Sequence, residues 1–181
     1  MAGPAADVSV RLARASDVAA VAAVQVSVLT ERYARLLPPG ALAGLAPAAV
    51  AAQWRAAVKS PPTPEHLLLV AVEGAAVRGF VALAPAGADD GAGERGELLT
   101  LLVLPGAERR GHGSRLLAAA AAAWRDQGRG EAIAWVLDGD TVLRDFLLGS
   151  GWGSDGATRS LEAGGRAVGQ VRLHTDVREQ D

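Results

Sequence analysis

The chain has 181 residues, enough for one well-buried α/β domain and too few for two ordinary ones. Its formal net charge of −2 gives no general electrostatic case for nucleic acid or an anionic membrane as partner. The absence of cysteine excludes disulfides, thiolate metal sites and a catalytic thiol, and suits a reducing compartment. His66, His112 and His174 share no metal-ligand spacing, so no metal is expected. The opening MAGPAADVSV lacks the basic start and long apolar core of an export signal or anchor, which predicts a cytoplasmic protein. Lys59 is the one lysine among 18 basic residues, a coding bias that carries no functional inference.

In chain order, the pattern predicts a strand over 8–14 and a helix from about 16 to 35 with Ser16 or Asp17 at its N-cap. LLPPG breaks the chain, and a second helix follows over about 47–59. Apolar runs at 67–73 and 76–84 around Glu73-Gly74 predict a hairpin. The Gly/Asp segment at 85–96 reads as a flexible, solvated connection; the sharper reading is a lid, because it feeds directly into the next strand. Leu98 to Leu104 is an apolar run of strand length, and a helix opens at Gly111 and Gly113 and lasts until about Gly128. The alanines at 118–123 are helix formers spaced among larger packing residues. A strand at 132–137, a helix at 141–148 and a pair of strands at 157–162 and 167–175 complete the pattern. This predicts an α/β (α+β) domain over 8–176 between flexible termini, 1–7 and 177–181. Its sheet is mixed and mostly antiparallel, with about seven strands and about four helices.

LLTLLVLPGAERRGHGSRLLAAAAAAWRDQG is the informative stretch. A strand there runs through a Pro-Gly break and a glycine turn straight into a helix. The first turn of that helix leaves backbone N–H groups unpaired, and these, with the positive end of the helix dipole, favour a phosphate. Glycine lets phosphate oxygens approach without meeting a Cβ, and Arg109, Arg110 and Arg115 stand nearby. Two familiar loops fail here. The dinucleotide fingerprint Gly-x-Gly-x-x-Gly has Leu116 at its last glycine, and the ATP-type loop has His112 and Gly113 where Lys and Ser or Thr are required.

What remains is strand, Pro, x-x-(Arg/Gln)-x-x-Gly-x-(Gly/Ala), x-x, Leu-Leu, with glycines at 111 and 113 and leucines at 116 and 117. This resembles the acetyl-coenzyme A signature of the GNAT superfamily of N-acetyltransferases. The resemblance covers roughly residues 8–176. VRLARASDVAAVAAV is similar to the family's first strand and helix; LRDFLLGSGWGSDGATRSLE, with Phe146, Gly151 and Trp152, to its last helix, aromatic turn and sixth strand; GRAVGQVRLHTDV to its closing strand.

The resemblance implies the following roles. The diphosphate of acetyl-CoA lies on the turn of Arg109, Arg110, Gly111, His112, Gly113 and Ser114, and pantetheine pairs like an extra strand with Leu101, Leu102 and Val103. Glu97, at the start of that strand, is the implied general base; its rival reading is an exposed glutamate like Glu94. Asp140 matches the family's Asn, and Phe146 packs in the core or on pantetheine. Two positions depart from the pattern. Glu108 replaces the usual Arg or Gln, where an inward carboxylate would repel the diphosphate unless Arg109 and Arg110 offset it. Leu147 replaces the tyrosine that protonates the departing thiolate, leaving water, Ser150 or Tyr33 as substitutes. Tyr33 and Trp54 sit in segments that wall the acceptor pocket in that family, although a lone aromatic on such a helix also serves as core.

The implied activity is direct transfer of acetyl from acetyl-CoA to a primary amine in a ternary complex, without a covalent enzyme intermediate. No Gly-x-Ser-x-Gly turn is present to support one. The rivals are an acyl-CoA-binding sensory module with little or no catalysis and a nucleotide-binding regulator unrelated to CoA. The acceptor is open among small amines, antibiotics, amino acids and protein N-termini. Oligomeric state is equally open, a homodimer included.

Overall fold

A computed structural model describes residues 8–91 and 93–178. Strands β2 (Leu67–Glu73) and β3 (Ala76–Pro85) are apolar nearly throughout because helices cover both of their faces. Leu69, Ala71, Val81 and Leu83 face one way, onto Leu116, Leu117, Ala120 and Trp124 of α3 (His112–Asp126). Their neighbours Leu68, Val70, Phe80 and Ala82 face the other way, onto Val21, Val24 and Val28 of α1 (Val18–Glu31). α2 (Pro47–Lys59) packs on α1, with the Trp54 ring edge against Phe80 at 5.2 Å. Strands β1 (Val8–Leu12), β4 (Gly96–Val103), β5 (Glu131–Leu137), β6 (Gly153–Ala163) and β7 (Arg166–Asp176) extend the sheet, and α4 (Thr141–Gly149) follows β5. The order is β1-β2-β3-β4-β5-β7-β6, and every neighbouring pair is antiparallel except β4 with β5. The expected mixed sheet of seven strands with four helices is what these residues form. No described helix is long and apolar enough to cross a membrane.

The parallel pair creates the opening. β4 and β5 are paired only where Gly96, Glu97 and Leu98 face Ala132, Ile133 and Ala134, and beyond that the two strands diverge. On the other side of β4 the register with β3 shifts, Ala82 facing Thr100 and Leu83 facing Leu98, so that Leu99 is an unpaired bulge, 52% exposed. The closed end of the divergence is packed tightly. The Trp124 indole fills the space where a Cβ on Gly96 would sit, at 2.2 Å, so no larger residue fits at the start of β4.

Several expectations change. The first helix is shorter than 16–35: Asp17 accepts the Arg14 N–H at 2.7 Å and the Arg11 guanidinium at 2.6 Å in a separate turn of 3₁₀ helix, Ala15–Asp17. α1 ends at Glu31, and Tyr33–Arg35 is another 3₁₀ turn, because Asp140 of a distant segment engages both Arg32 and Tyr33. The last hairpin is longer than expected, pairing from Gly153 with His174 to Ala163 with Arg166, since the Asp155-Gly156 breaker is absorbed as a bulge.

The segment after β3 is no free solvated connection. Ala86 and Asp90 are buried, and Asp90 accepts from Trp135 Nε1 at 2.9 Å and Arg172 Nη1 at 2.6 Å. At the C-terminal end, Val177 is also fixed, buried and bonded through its N–H to Gly130 O at 3.0 Å. The expected flexible segments 1–7 and 179–181 lie outside the described residues.

Candidate functional site

Past Val103 the chain leaves the sheet through Pro105 and turns into α3, with Gly106, Arg109 and Gly111 all at positive φ. Gly111 has φ +80°, which favours glycine; a Cβ there would sit 2.7 Å from the Arg115 guanidinium, a flexible side-chain end that can move aside. Arg109 takes the same region at φ 58° with a full side chain, a local cost of about 1–2 kcal/mol. The helical ladder starts with Arg115 N–H on Gly111 O at 3.1 Å, so the N–H groups of His112, Gly113 and Ser114 precede it and point out of the helix start.

That helix start opens onto a cavity of about 590 Å³. One wall is the turn itself, from Ala107 through Ser114, and the wall opposite is the first part of α4, with Val142, Leu143 and Phe146. The floor is Leu101 and Val103 of the diverging β4. A Cβ on Gly113 would come within 3.3 Å of Phe146 Cζ, so the start of α3 packs closely against the Phe146 ring of α4. One lining residue, Arg32, comes from the opposite helical layer, just past α1.

Arg32 belongs to a cluster at the N-terminus of α4. Asp140, 1% exposed, caps α4 by accepting Leu143 N–H at 3.1 Å, and its other oxygen accepts the Tyr33 hydroxyl at 2.5 Å. Arg32 Nη2 donates to the Tyr33 oxygen at 3.0 Å and reaches Asp140 at 3.5 Å. Burial, countered by Arg32 and reinforced by Asp140, pushes the Tyr33 phenol up to about 12.

A profile of the Acetyltransferase (GNAT) family matches residues 37–150. The chain belongs to this family. Solved structures with the same fold include an N-acetyltransferase from Staphylococcus aureus Mu50, 14% identical over 95% of this chain and 99% of that one, with a TM-score of 0.72. The PaiA N-acetyltransferase of Thermoplasma acidophilum, in complex with coenzyme A, is 15% identical over 94% and 99% (TM-score 0.72). The ribosomal-protein-alanine N-acetyltransferase of Brucella melitensis is 20% identical over 92% and 98% (TM-score 0.73). At these identities the likeness shows the fold alone. Among curated proteins none matches the chain by sequence.

On this GNAT framework the residues singled out from the sequence fall into three groups. Leu101, Val103, Arg109, Gly111, Gly113, Ser114 and Phe146 line the cavity together, and so does Glu108. Others adjoin it without lining it. Leu102 turns to the α1 face and packs with Phe80 and Val28. Asp140 and Tyr33 hold each other beside Arg32. His112 is buried beneath the turn, 1% exposed, with both ring nitrogens unpartnered among the described residues and its basicity pushed down by burial. Arg110 does not offset Glu108: Glu73 at the end of β2 pairs with its side chain and with Arg78, so the cations that line the cavity with Glu108 are Arg109 and Arg32.

The third group lies elsewhere. Ser150 is outside the cavity and donates to Phe146 O at 2.8 Å. Leu147, where the family's tyrosine is expected, is 0% exposed and packs in the α3-side core with Trp152 and Leu116. Glu97 is strand neighbour to the core residue Leu98 and therefore points to the opposite face of the sheet, half-buried where the β4–β5 pairing ends. Burial raises its carboxyl above the ordinary range, opposed by Arg159 and assisted by Asp90. The same face carries Trp135, with the Arg159 guanidinium 4.3 Å above its ring.

Sequence reasoning missed Arg32 and the Leu99 bulge. The signal for Arg32 was the pair Arg32-Tyr33 closing an apolar helix. The bulge left none, because the run Leu98 to Leu104 is apolar on both faces and hides any change of register.

Proposed function

We propose that this protein transfers the acetyl group of acetyl-CoA to a primary amine by direct attack within a ternary complex. The observation that carries the reading is the gap between β4 and β5, floored by Leu101 and Val103 and headed by the free N–H groups of α3. An anionic diphosphate suits those N–H groups and Arg109. An amide-bearing arm suits the unpaired side of β4, where backbone groups beyond Leu98 have no strand partner on β5. Several charge-assisted hydrogen bonds of about 1.5–3 kcal/mol each would support micromolar binding, about 8 kcal/mol.

The amine approaches from the other face, where Glu97 stands. The nitrogen lone pair attacks the carbonyl carbon, the C–S pair leaves as thiolate, and the amine proton passes to the Glu97 carboxylate directly or through water. A carboxyl whose affinity for protons is raised by burial is a better acceptor for that proton than an exposed one.

The test is a panel of amines with acetyl-CoA, monitoring released CoA, beside thermal shifts with acetyl-CoA, NAD and ATP. Acetyl-CoA is expected to stabilise the protein far more than the nucleotides do and to turn over with at least one amine class. Glu97→Gln is expected to lower kcat/KM by about 10²-fold with acetyl-CoA affinity unchanged. No stabilisation by acetyl-CoA, or turnover indifferent to Glu97, overturns the corresponding part.

A further inference from the structure

We propose that Arg32 holds the departing thiolate, the task that a tyrosine on α4 cannot perform here because Leu147 stands in its place and is buried in the core. The inference rests on the acetyl-CoA reading of the cavity.

Arg32 is the one lining residue that reaches the cavity from the α1 layer. The turn and α3 supply the end where a diphosphate binds, and β4 and α4 supply the walls. A ligand anchored at the helix start and laid along Leu101 and Val103 must bring its reactive end through the strand gap to meet an amine arriving from the other face. Arg32 stands on that other side. Its guanidinium is positioned and incompletely used. Nη2 holds the Tyr33 hydroxyl, and the contact with Asp140 is long at 3.5 Å. Among the described residues, Arg32 Nε–H is buried and finds no acceptor. A buried donor without a partner costs about 1–3 kcal/mol, which leaves the guanidinium with unused hydrogen-bonding capacity beside the cavity it lines.

Tyr33 does not take the role itself, since its proton is directed at Asp140 and its phenol is pushed up to about 12. Arg32 acts as a fixed cation and not as an acid, because a guanidinium does not give up its proton in this range. When the C–S bond breaks, the electron pair stays on sulfur beside Arg32, the amine proton goes to Glu97, and the thiolate takes a proton from solvent on release.

The experiment titrates the thiol of CoA bound to the protein, by thiolate absorbance in the ultraviolet, and measures binding of CoA and of desulfo-CoA in parallel. The charged groups around the cavity, Arg32, Tyr33, Asp140, Glu108 and Arg109, are common to all measurements except where substituted. In the parent the bound thiol is expected to titrate at least about one unit below the thiol of free CoA in the same buffer, a tenfold preference for thiolate. Arg32→Gln is expected to remove that shift and Arg32→Lys to keep part of it. All three proteins are expected to bind desulfo-CoA within about threefold, which also reports that they are folded. A bound thiol that titrates identically in the parent and in Arg32→Gln overturns the proposal. So does a parallel loss of desulfo-CoA binding in Arg32→Gln, which would place Arg32 on the anionic body of the ligand. Failure of the parent to bind either compound instead removes the acetyl-CoA reading, and this inference with it.

Discussion

The cavity has two ends built by opposite means. At the glycine turn the binding groups are backbone N–H donors, and side chains matter there by being absent: Gly111 and Gly113 leave room that Arg115 and Phe146 bound closely. At the other end the groups are side chains, the adjacent Arg32 and Tyr33 and the distant Asp140, more than 100 positions along the chain, which meet only through the fold. The first end is a local construction and tolerates change in its side chains but not in its glycines. The second is a mutual arrangement in which each member holds another, so removing one disturbs the rest.

The largest effect is expected at the backbone end. Gly113→Val adds two methyl groups where even a Cβ would lie 3.3 Å from Phe146 Cζ, on the path of a ligand entering between the helix starts. Acetyl-CoA at about 100 times its dissociation constant stabilises the parent by about 2.7 kcal/mol, and a hundredfold weaker site would keep only a few tenths of that. Thermal shift with and without acetyl-CoA measures it. A folded Gly113→Val protein with the full shift would show that this end does not hold the ligand.

This asymmetry also explains what was legible in the sequence. The glycine turn could be read directly because its chemistry lives in consecutive residues: strand, break, glycines, helix. The strands and helices were equally readable from apolar runs and breakers, down to Pro47 at the start of α2. The Asp140 cluster could not be read, because no spacing announces that residue 33 will donate to residue 140. Nor was the capture of Arg110 by Glu73, which leaves Arg109 and Arg32 as the cations lining the cavity with Glu108. The segment after β3 looked like solvent-exposed chain by composition, and the burial of Asp90 against Trp135 and Arg172 overrode that composition through tertiary contact.

The side-chain end yields the next effect. Asp140→Ala removes the cap of α4 and leaves Tyr33 and Arg32 without their shared acceptor, at a cost of about 2 kcal/mol for the lost cap and the lost Tyr33 bond. Tyr33→Phe removes two hydrogen bonds, the one Tyr33 donates to Asp140 and the one it accepts from Arg32, but leaves Arg32 facing Asp140, at a cost of about 1 kcal/mol. Denaturant unfolding of both, and of the double variant, checks the coupling. Because Tyr33 acts through Asp140, the double variant is expected to be little worse than Asp140→Ala alone, and strict additivity would mean that the two do not form one unit.

The smallest expected effect separates Glu97 from an ordinary surface glutamate and sets the acceptor face against both ends of the cavity. Its proton affinity is raised in the folded protein, first by burial, so folding favours the protonated form. The stabilisation from that preference is fully present below the ordinary carboxylate value of about 4.3 and is lost as pH rises through the higher folded value. At neutral pH the parent therefore carries an ionised, half-buried carboxylate that a neutral amide would not. Glu97→Gln is expected to melt slightly above the parent at pH 7, with the advantage vanishing near pH 4, while its turnover falls. Melting temperatures from pH 4 to pH 8 measure the first part and rates on a working amine the second. A variant that is less stable than the parent at pH 7 would mean that Arg159 outweighs burial at this site, and Glu97 would then be a structural partner of the Arg159–Trp135 stack, with no claim to the amine proton.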